Sequence, residues 1–428
     1  MAVTRTDLSD IDLLNPDAFV EQKHHEWFRR LRAEAPVYWF SDGEDGFWNV
    51  VKHEDVVLVN RDSALFSSER EGTQIFSRRR AREMGVDVDN QEEYGGTARG
   101  VIMLEMDPPK HTRYRLLVNK GFTPRMIGLL EQALRTRATH IIDQVIERGE
   151  ADFVVDIASE LPLQAIADIM GVPQEDRVKL FEWSNRMIGA GDPEFMNNES
   201  GNAMAELFAY SHELADRRRV DPRDDVVTKL LNAEVDGDRL SELEFDMFML
   251  LLSVAGNETT RNATAHGMYA LLQNPDQFAY LKEDPEGRME IAIEEILRWA
   301  SPVLHFKRTT MADTEIRGVE IKEGDPVVMW YISANRDEDI FDDPYTFDVT
   351  RDPNPQIAFG GGGNHFCLGA NLARMELRLI FEEISKRLPD MQLAGEPDRL
   401  RSNFIGGIKH LPITYTPGKR VLPANATL

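Results

Sequence analysis

Cysteine is nearly missing: one thiol stands in 428 residues. No internal disulfide can form, so any disulfide-stapled scaffold is excluded. Long apolar runs are missing too, since the longest, Met247 to Leu252 continued by Val254 and Ala255, falls far short of the roughly 18 residues that cross a bilayer. Positive charge is scarce, with 49 Lys and Arg against 74 Asp and Glu and a formal net charge of −25. Nucleic acid is therefore not an expected partner, because phosphate backbones demand basic faces.

The amino terminus, MAVTRTDLSDIDLLN, has no basic stretch followed by an apolar core. A cytoplasmic location without integral membrane association is expected. There is no internal repeat, no low-complexity block and no Pro/Gly/Ser linker, and 42% hydrophobic with 29% charged residues is an ordinary globular balance. The expectation is one domain over 1–428, mainly α with a smaller β-rich region in 35–70, 300–335 and 395–420.

What is present begins with β-like runs at Val37–Phe40 and Phe47–Val51, joined by turn residues. The clearest helix opens at Ser241, with Glu244 three residues later as a capping box, and runs to Asn274 before Pro275. Its segment FDMFMLLLSVAG is apolar on nearly every face, which predicts burial all round. AGNETTRN follows inside it. Asn257, Glu258, Thr259 and Thr260 are costly in such surroundings. Either the helix is a kinked core element with satisfied side chains, or it opens locally to hold water and an acid/hydroxyl pair beside a reactive centre. Ala255-Gly256 favours the second reading, since small residues let a flat ligand approach.

The lone thiol, Cys367, sits in FGGGGNHFCLG, residues 359 to 369. No Gly-Lys-Ser/Thr follows the glycines, so a P-loop is disfavoured. A Cys/His hydrolase is a weak alternative because His365 stands too close in sequence for triad geometry, and a structural zinc wants more thiolates. A thiolate ligand to a planar cofactor fits better. Glycines let the chain pass beneath a macrocycle, and a helix after Cys367, with Leu368, Leu372, Met375 and Leu379 on one face, aims amides at the sulfur. That field is expected to lower the thiol pKa.

These residues resemble the cytochrome P450 superfamily. Phe359, Gly362, His365, Cys367 and Gly369 match its F-x-x-G-x-x-H-x-C-x-G signature, Ala255–Thr259 its oxygen-binding helix motif with Glu for the commoner Asp, and Glu295 with Arg298 its Glu-x-x-Arg helix. The resemblance covers nearly the whole chain. It implies the P450 fold, with haem b between the long central helix and the Cys-ligand loop. It further implies Cys367 as axial iron ligand, a site that favours O–O cleavage. His111, Arg115, Arg308 and His365 are implied as propionate binders, with Phe359, Gly369 and Ala255 against the haem. Thr259 and Glu258 are implied as the proton relay, and Glu295, Arg298 and Arg351 as a structural ion-pair network.

The implied activity is a monooxygenase using O2 and electrons from a ferredoxin and an NAD(P)H-dependent ferredoxin reductase. Arg113, Lys120, Arg374 and Arg378 are candidate docking cations. ELPLQAIADIMGVPQEDRVKLFEWSNRM, VAGNETTRN and RLRSNFIGGIKHLP resemble the soluble bacterial branch that hydroxylates a terminal methyl of sterol and steroid side chains, with branched-lipid hydroxylases as near relatives. Ile75, Phe76, Ile102, Leu104, Val254, Val303, Phe404 and Ile405 are then expected to line an apolar pocket. Ser77–Glu83 (SRRRARE) reads either as a charged exposed helix or as part of the channel mouth. Two alternatives stay open: the same chemistry on a terpenoid, a methyl-branched fatty acid or a polyketide, and a haem protein that binds a lipid or gas without turnover.

Overall fold

The computed structural model describes residues 8–43, 45–83, 99–119, 122–189, 191–195, 202–235 and 237–423. Lys120 lies outside them. Helices dominate, and five strands form the main sheet: β1 (Val37–Asp42), β2 (Asp45–Val50), β3 (Phe66–Ser67), β4 (His305–Thr310) and β5 (Pro326–Trp330). Their order is β1-β2-β5-β4-β3, antiparallel except for the parallel β2/β5 pair. β1 and β2 are the two runs read from the sequence, and Trp39 faces Trp48 across them. The remaining strands of the carboxyl-terminal region are short, at Gln392–Leu393, Asp398–Arg399, Ile408–His410 and Pro412–Thr414.

Six helices matter for the site: α1 (Lys110–Asn119), α2 (Pro124–Val145), α3 (Glu160–Met170), α4 (Glu242–Gln273), α5 (Pro285–Ala300) and α6 (Ala370–Arg387). α4 is the long helix read from the sequence. The Ser241 hydroxyl accepts from the Glu244 amide at 3.2 Å and the Glu244 carboxylate accepts from the Ser241 amide at 2.9 Å, so both halves of the capping box form. Pro275 begins the next helix and ends α4 one residue earlier, at Asn274. α4 packs against α3, α5 and α6, and its buried residues occupy almost its whole circumference. Placed through the middle of the main hydrophobic core, it puts residues 255–263 beside the segment that carries Cys367.

α5 starts at Asp284, whose side chain accepts from the Gly287 amide at 3.0 Å, with Pro285 in the first turn. Its buried face carries Glu295 and Arg298. Ser77–Glu83 yields a short helix, Arg78–Glu83, whose Arg79 pairs with Asp42 and Arg80 with Asp12.

Candidate active site

The Cys367 loop is closed by its own backbone: the Cys367 amide donates to the Phe359 carbonyl at 3.0 Å. Its glycines answer a packing demand different from the one expected. Gly360, Gly362 and Gly363 have φ of +83, +103 and +79°, values that L side chains rarely adopt. A Cβ on Gly363 would stand 2.5 Å from the Asn60 carbonyl oxygen, and one on Gly361 would stand 2.7 Å from Val57. The run therefore makes room chiefly for the helix His53–Arg61, while Gly360 and Gly369 face the cavity.

Cys367 opens into a cavity with about 1510 Å³ of empty space, mouth included. Burial is the largest influence on its thiol and pushes the pKa up, against the amides of Gly369 and Ala370 and the charges of Arg115 and Arg374, which pull it down. This corrects the sequence-based expectation. α6 begins only at Ala370, and in the protein alone desolvation outweighs the helix field.

His111, Arg115, Arg308 and His365 all line the same cavity. α1 supplies His111 and Arg115, β4 supplies Arg308, and the Cys367 loop supplies His365. The two imidazoles lie 4.1 Å apart between ring centroids. Burial and the neighbouring arginines depress both, to about 4 for His111 and about 2 for His365, so both rings are neutral at physiological pH. His365 Nε2 meets the Ser68 hydroxyl at 3.1 Å, whereas His111 Nδ1 is buried without a partner. Arg308 donates to the Lys307 carbonyl at 2.8 Å, and Arg115 Nη1 to the Asn364 carbonyl at 3.0 Å. Among the described residues, neither guanidinium has a carboxylate partner.

On α4, Ala255, Gly256 and Thr259 line the cavity. A Cβ on Gly256 would stand 2.9 Å from Ile166 Cδ1, so this glycine also seats α3 against α4. The local opening weighed for AGNETT is not found: the helix is unbroken from Glu242 to Gln273, and the Thr259 hydroxyl donates to the Ala255 carbonyl at 2.8 Å. Glu258 points away from the cavity. It is 1% exposed and pairs with Arg261, which also donates to Asn185 Oδ1 at 2.7 Å. Burial raises the Glu258 pKa and Arg261 opposes that, while Oε1 has no partner.

Of the expected apolar lining, Leu104 and Val303 face the cavity. Ile75, Phe76, Ile102, Val254, Phe404 and Ile405 do not. Phe76 is 48% exposed, Ile405 is core and bridges to Val303, and Phe404 packs edge-on against Phe306, which does face the cavity. Met103, Ile166, Leu251 and Leu297 line it as well and were not singled out, since each reads in sequence as ordinary core. Glu376 was missed too. It lies on α6, lines the cavity, is 2% exposed with Oε2 unpartnered, and burial raises its pKa to about 8. An isolated acid on the apolar face of a helix was the available signal.

Below the site, Arg298 donates two parallel bonds to Glu295, both 2.7 Å, and both side chains are fully buried. Arg298 further donates to the carbonyls of Asn335 at 2.8 Å and Pro344 at 2.9 Å, and Arg351 approaches Glu295 at 3.2 Å. Arg374 lies over the Phe359 ring at 4.6 Å while paired with Glu294, and Arg378 is paired with Glu131 and Glu382. Both arginines thus hold helices together.

The cytochrome P450 family model matches residues 163–388, more than half the chain. The chain is a cytochrome P450. It is similar to the steroid C26-monooxygenase of Mycolicibacterium smegmatis, 45% identical over 416 residues that cover 95% of this chain and 94% of that one. It is also similar to the methyl-branched lipid omega-hydroxylase of Mycobacterium tuberculosis, 41% identical over 423 residues, 96% and 95% of the two chains. Among solved structures, a Mycobacterium marinum cytochrome P450 in complex with pseudoionone is 38% identical with a TM-score of 0.86, covering 97% and 100%. A cytochrome P450 of this kind is a monooxygenase with haem b as its cofactor.

The cavity fits that cofactor on its own chemistry. A haem brings two carboxylates, and the cavity offers two guanidinium groups without acids and a buried imidazole nitrogen without a partner. Leaving that buried nitrogen unpaired costs about 1–3 kcal/mol. The cofactor also brings an iron for the Cys367 sulfur, which opens into the cavity.

Proposed function

We propose that this cytochrome P450 hydroxylates a terminal methyl group of a sterol or steroid side chain. The observation that carries the reading is the 45% identity, along 95% of the chain, to an enzyme named for steroid C26 monooxygenation. The cavity is compatible with such a substrate: Met103, Leu104, Ile166, Leu251, Val303 and Phe306 give it an apolar wall, and a hydrocarbon substrate gains about 0.8 kcal/mol for each CH2 it buries there. A methyl-branched lipid is the second reading, from the 41% identical relative. Both substrates present an unactivated terminal methyl.

Haem b, which Cys367 would hold at the iron and His111, Arg115, Arg308 and His365 at the propionates, would supply reductive activation of O2 and transfer of one oxygen atom into a C–H bond. The side chains govern protons and water. Thr259 is the cavity hydroxyl assigned to hold a proton donor, since its bond to the Ala255 carbonyl at 2.8 Å leaves oxygen lone pairs free to accept from water. Glu258, one residue away and held by Arg261, is assigned to relay protons from outside by rotating between its ion pair and the cavity.

Electrons come from a ferredoxin and its reductase in this reading, and the chain acts as one cytoplasmic domain, 1–428. Of the docking cations, Arg113 on α1 is exposed, and Arg374 and Arg378 hold ion pairs as well. Glu295, Arg298 and Arg351 serve structure.

The test is a titration of the holoenzyme followed by its Soret band. Cholest-4-en-3-one is expected to convert the iron from low to high spin with saturation, more tightly than a terpene does. Absence of a shift with every steroid tried overturns the steroid assignment and leaves the family standing.

A further inference from the structure

A second cavity lies away from the haem site and shares no lining residue with it. It has about 830 Å³ of empty space, mouth included, and gathers three imidazoles and two guanidinium groups: His24, His25, His266, Arg336 and Arg399. They come from four separate parts of the chain. His24 and His25 open the helix His24–Glu34, His266 lies near the end of α4, Arg336 follows β5, and Arg399 ends a short carboxyl-terminal strand.

Among the described residues, no carboxylate lines this cavity. In a protein with 74 acidic residues against 49 Lys and Arg, that concentration of basic groups is unexpected on composition alone. Arg336 is 4% exposed. It donates to the Trp299 carbonyl at 2.8 Å and lies over the Trp299 ring at 4.9 Å. Arg399 lies over the Tyr269 ring at 5.5 Å. Among the described residues neither is in an ion pair; Glu295 and Glu396 favour their charges only from longer range. A buried guanidinium without an anion, such as that of Arg336, costs several kcal/mol, and the part-buried Arg399 faces the same space.

The imidazoles do not supply the missing negative charge. Burial and the two arginines hold His24 at about 3, and burial with Arg399 holds His266 at about 3, so both are neutral and each spends its one N–H on a backbone carbonyl. His266 uses Nε2 on the Gly406 carbonyl at 3.1 Å. His24 is 3% exposed, stacks on Phe19 at 4.8 Å and donates to the Ala18 carbonyl. Two guanidinium groups without an acid, facing one space, offer the charge and the paired N–H donors that a tetrahedral oxyanion takes.

We propose that this cavity binds a small tetrahedral oxyanion of the phosphate or sulfate class, held by Arg336 and Arg399. An anion there joins the amino-terminal helices to α4 and to the segment at Gly406, next to Ile405, whose bridge partner Val303 lines the haem cavity.

The test uses the haem-loaded, full-length enzyme. Sodium sulfate and inorganic phosphate are titrated against chloride at matched ionic strength, followed by calorimetry and by thermal unfolding. Both oxyanions also stabilise proteins generally at high concentration without saturation, so the reading rests on saturation and on variants. The expected result is one saturable binding event and a saturable rise in Tm with sulfate and phosphate but not chloride. Both are lost in Arg399→Gln, whose position tolerates an amide because it is only part-buried, and in Arg336→Gln. Haem content and the ferrous carbon monoxide spectrum stay unchanged in Arg399→Gln. A linear response equal to that of chloride overturns the proposal. So does saturable binding that persists in Arg399→Gln, which places the anion elsewhere.

Discussion

Glu376 offers a quantitative test of how dry the haem cavity is. Burial alone raises its pKa from 4.5 to about 8, and no cation or hydrogen bond contributes. In the unfolded chain the carboxyl titrates near 4.5, so between pH 4.5 and 8 the folded state holds a proton that the unfolded state has released. Stability therefore falls as pH rises through that window, and is highest below it. The span of about 3.5 pH units, at about 1.4 kcal/mol each, sets an upper magnitude of roughly 5 kcal/mol. Glu376→Gln keeps the size and removes the titration. The two proteins should unfold at similar urea concentrations at pH 5, and the variant should become more stable by at least about 2 kcal/mol at pH 8.5. Taking the difference between the two proteins cancels every other titrating group. Parallel curves across pH 5–8.5 would refute the claim that this carboxyl is protonated in the native enzyme.

Two further outcomes follow from named geometry. Glu295→Gln removes the charge that balances Arg298 at the centre of a fully buried network, and should destabilise the enzyme by about 3 kcal/mol in denaturant unfolding; an unchanged midpoint would contradict that. Thr259→Ala should retain the haem and its carbon monoxide spectrum while diverting reducing equivalents to hydrogen peroxide, read as the ratio of peroxide to alcohol. Coupling at the unmutated level would remove Thr259 from the proton route.

How much of this could be read in the sequence depends on whether a residue's task is local. The capping box at Ser241 and Glu244 is written within four residues, and α4 lies where they place it. Cys367 was legible because a single thiol in a glycine-rich frame has few uses. The reasons for that frame were less legible. Gly361 and Gly363 are required by Val57 and Asn60, partners about 300 residues away that no local pattern reveals. The sign of the Cys367 pKa shift was misread for a similar cause, since the helix field can be inferred from sequence but the desolvation that exceeds it depends on the whole surrounding fold. Six of the eight expected pocket residues lie off the cavity, because adjacency in sequence to a lining residue, as with Ile102 beside Met103, does not decide which side chain turns inward. The cluster of Arg336, Arg399 and the three histidines spans about 375 positions and has no sequence signature.

The measurement that bears most directly on the enzyme's function is product analysis after turnover of cholest-4-en-3-one with a surrogate ferredoxin and ferredoxin reductase. The account predicts a product heavier by one oxygen atom, with the hydroxyl on a terminal methyl of the side chain and the oxygen drawn from 18O-labelled O2. Hydroxylation on the ring system, or no product from a steroid alongside efficient turnover of a lipid of another class, would contradict it.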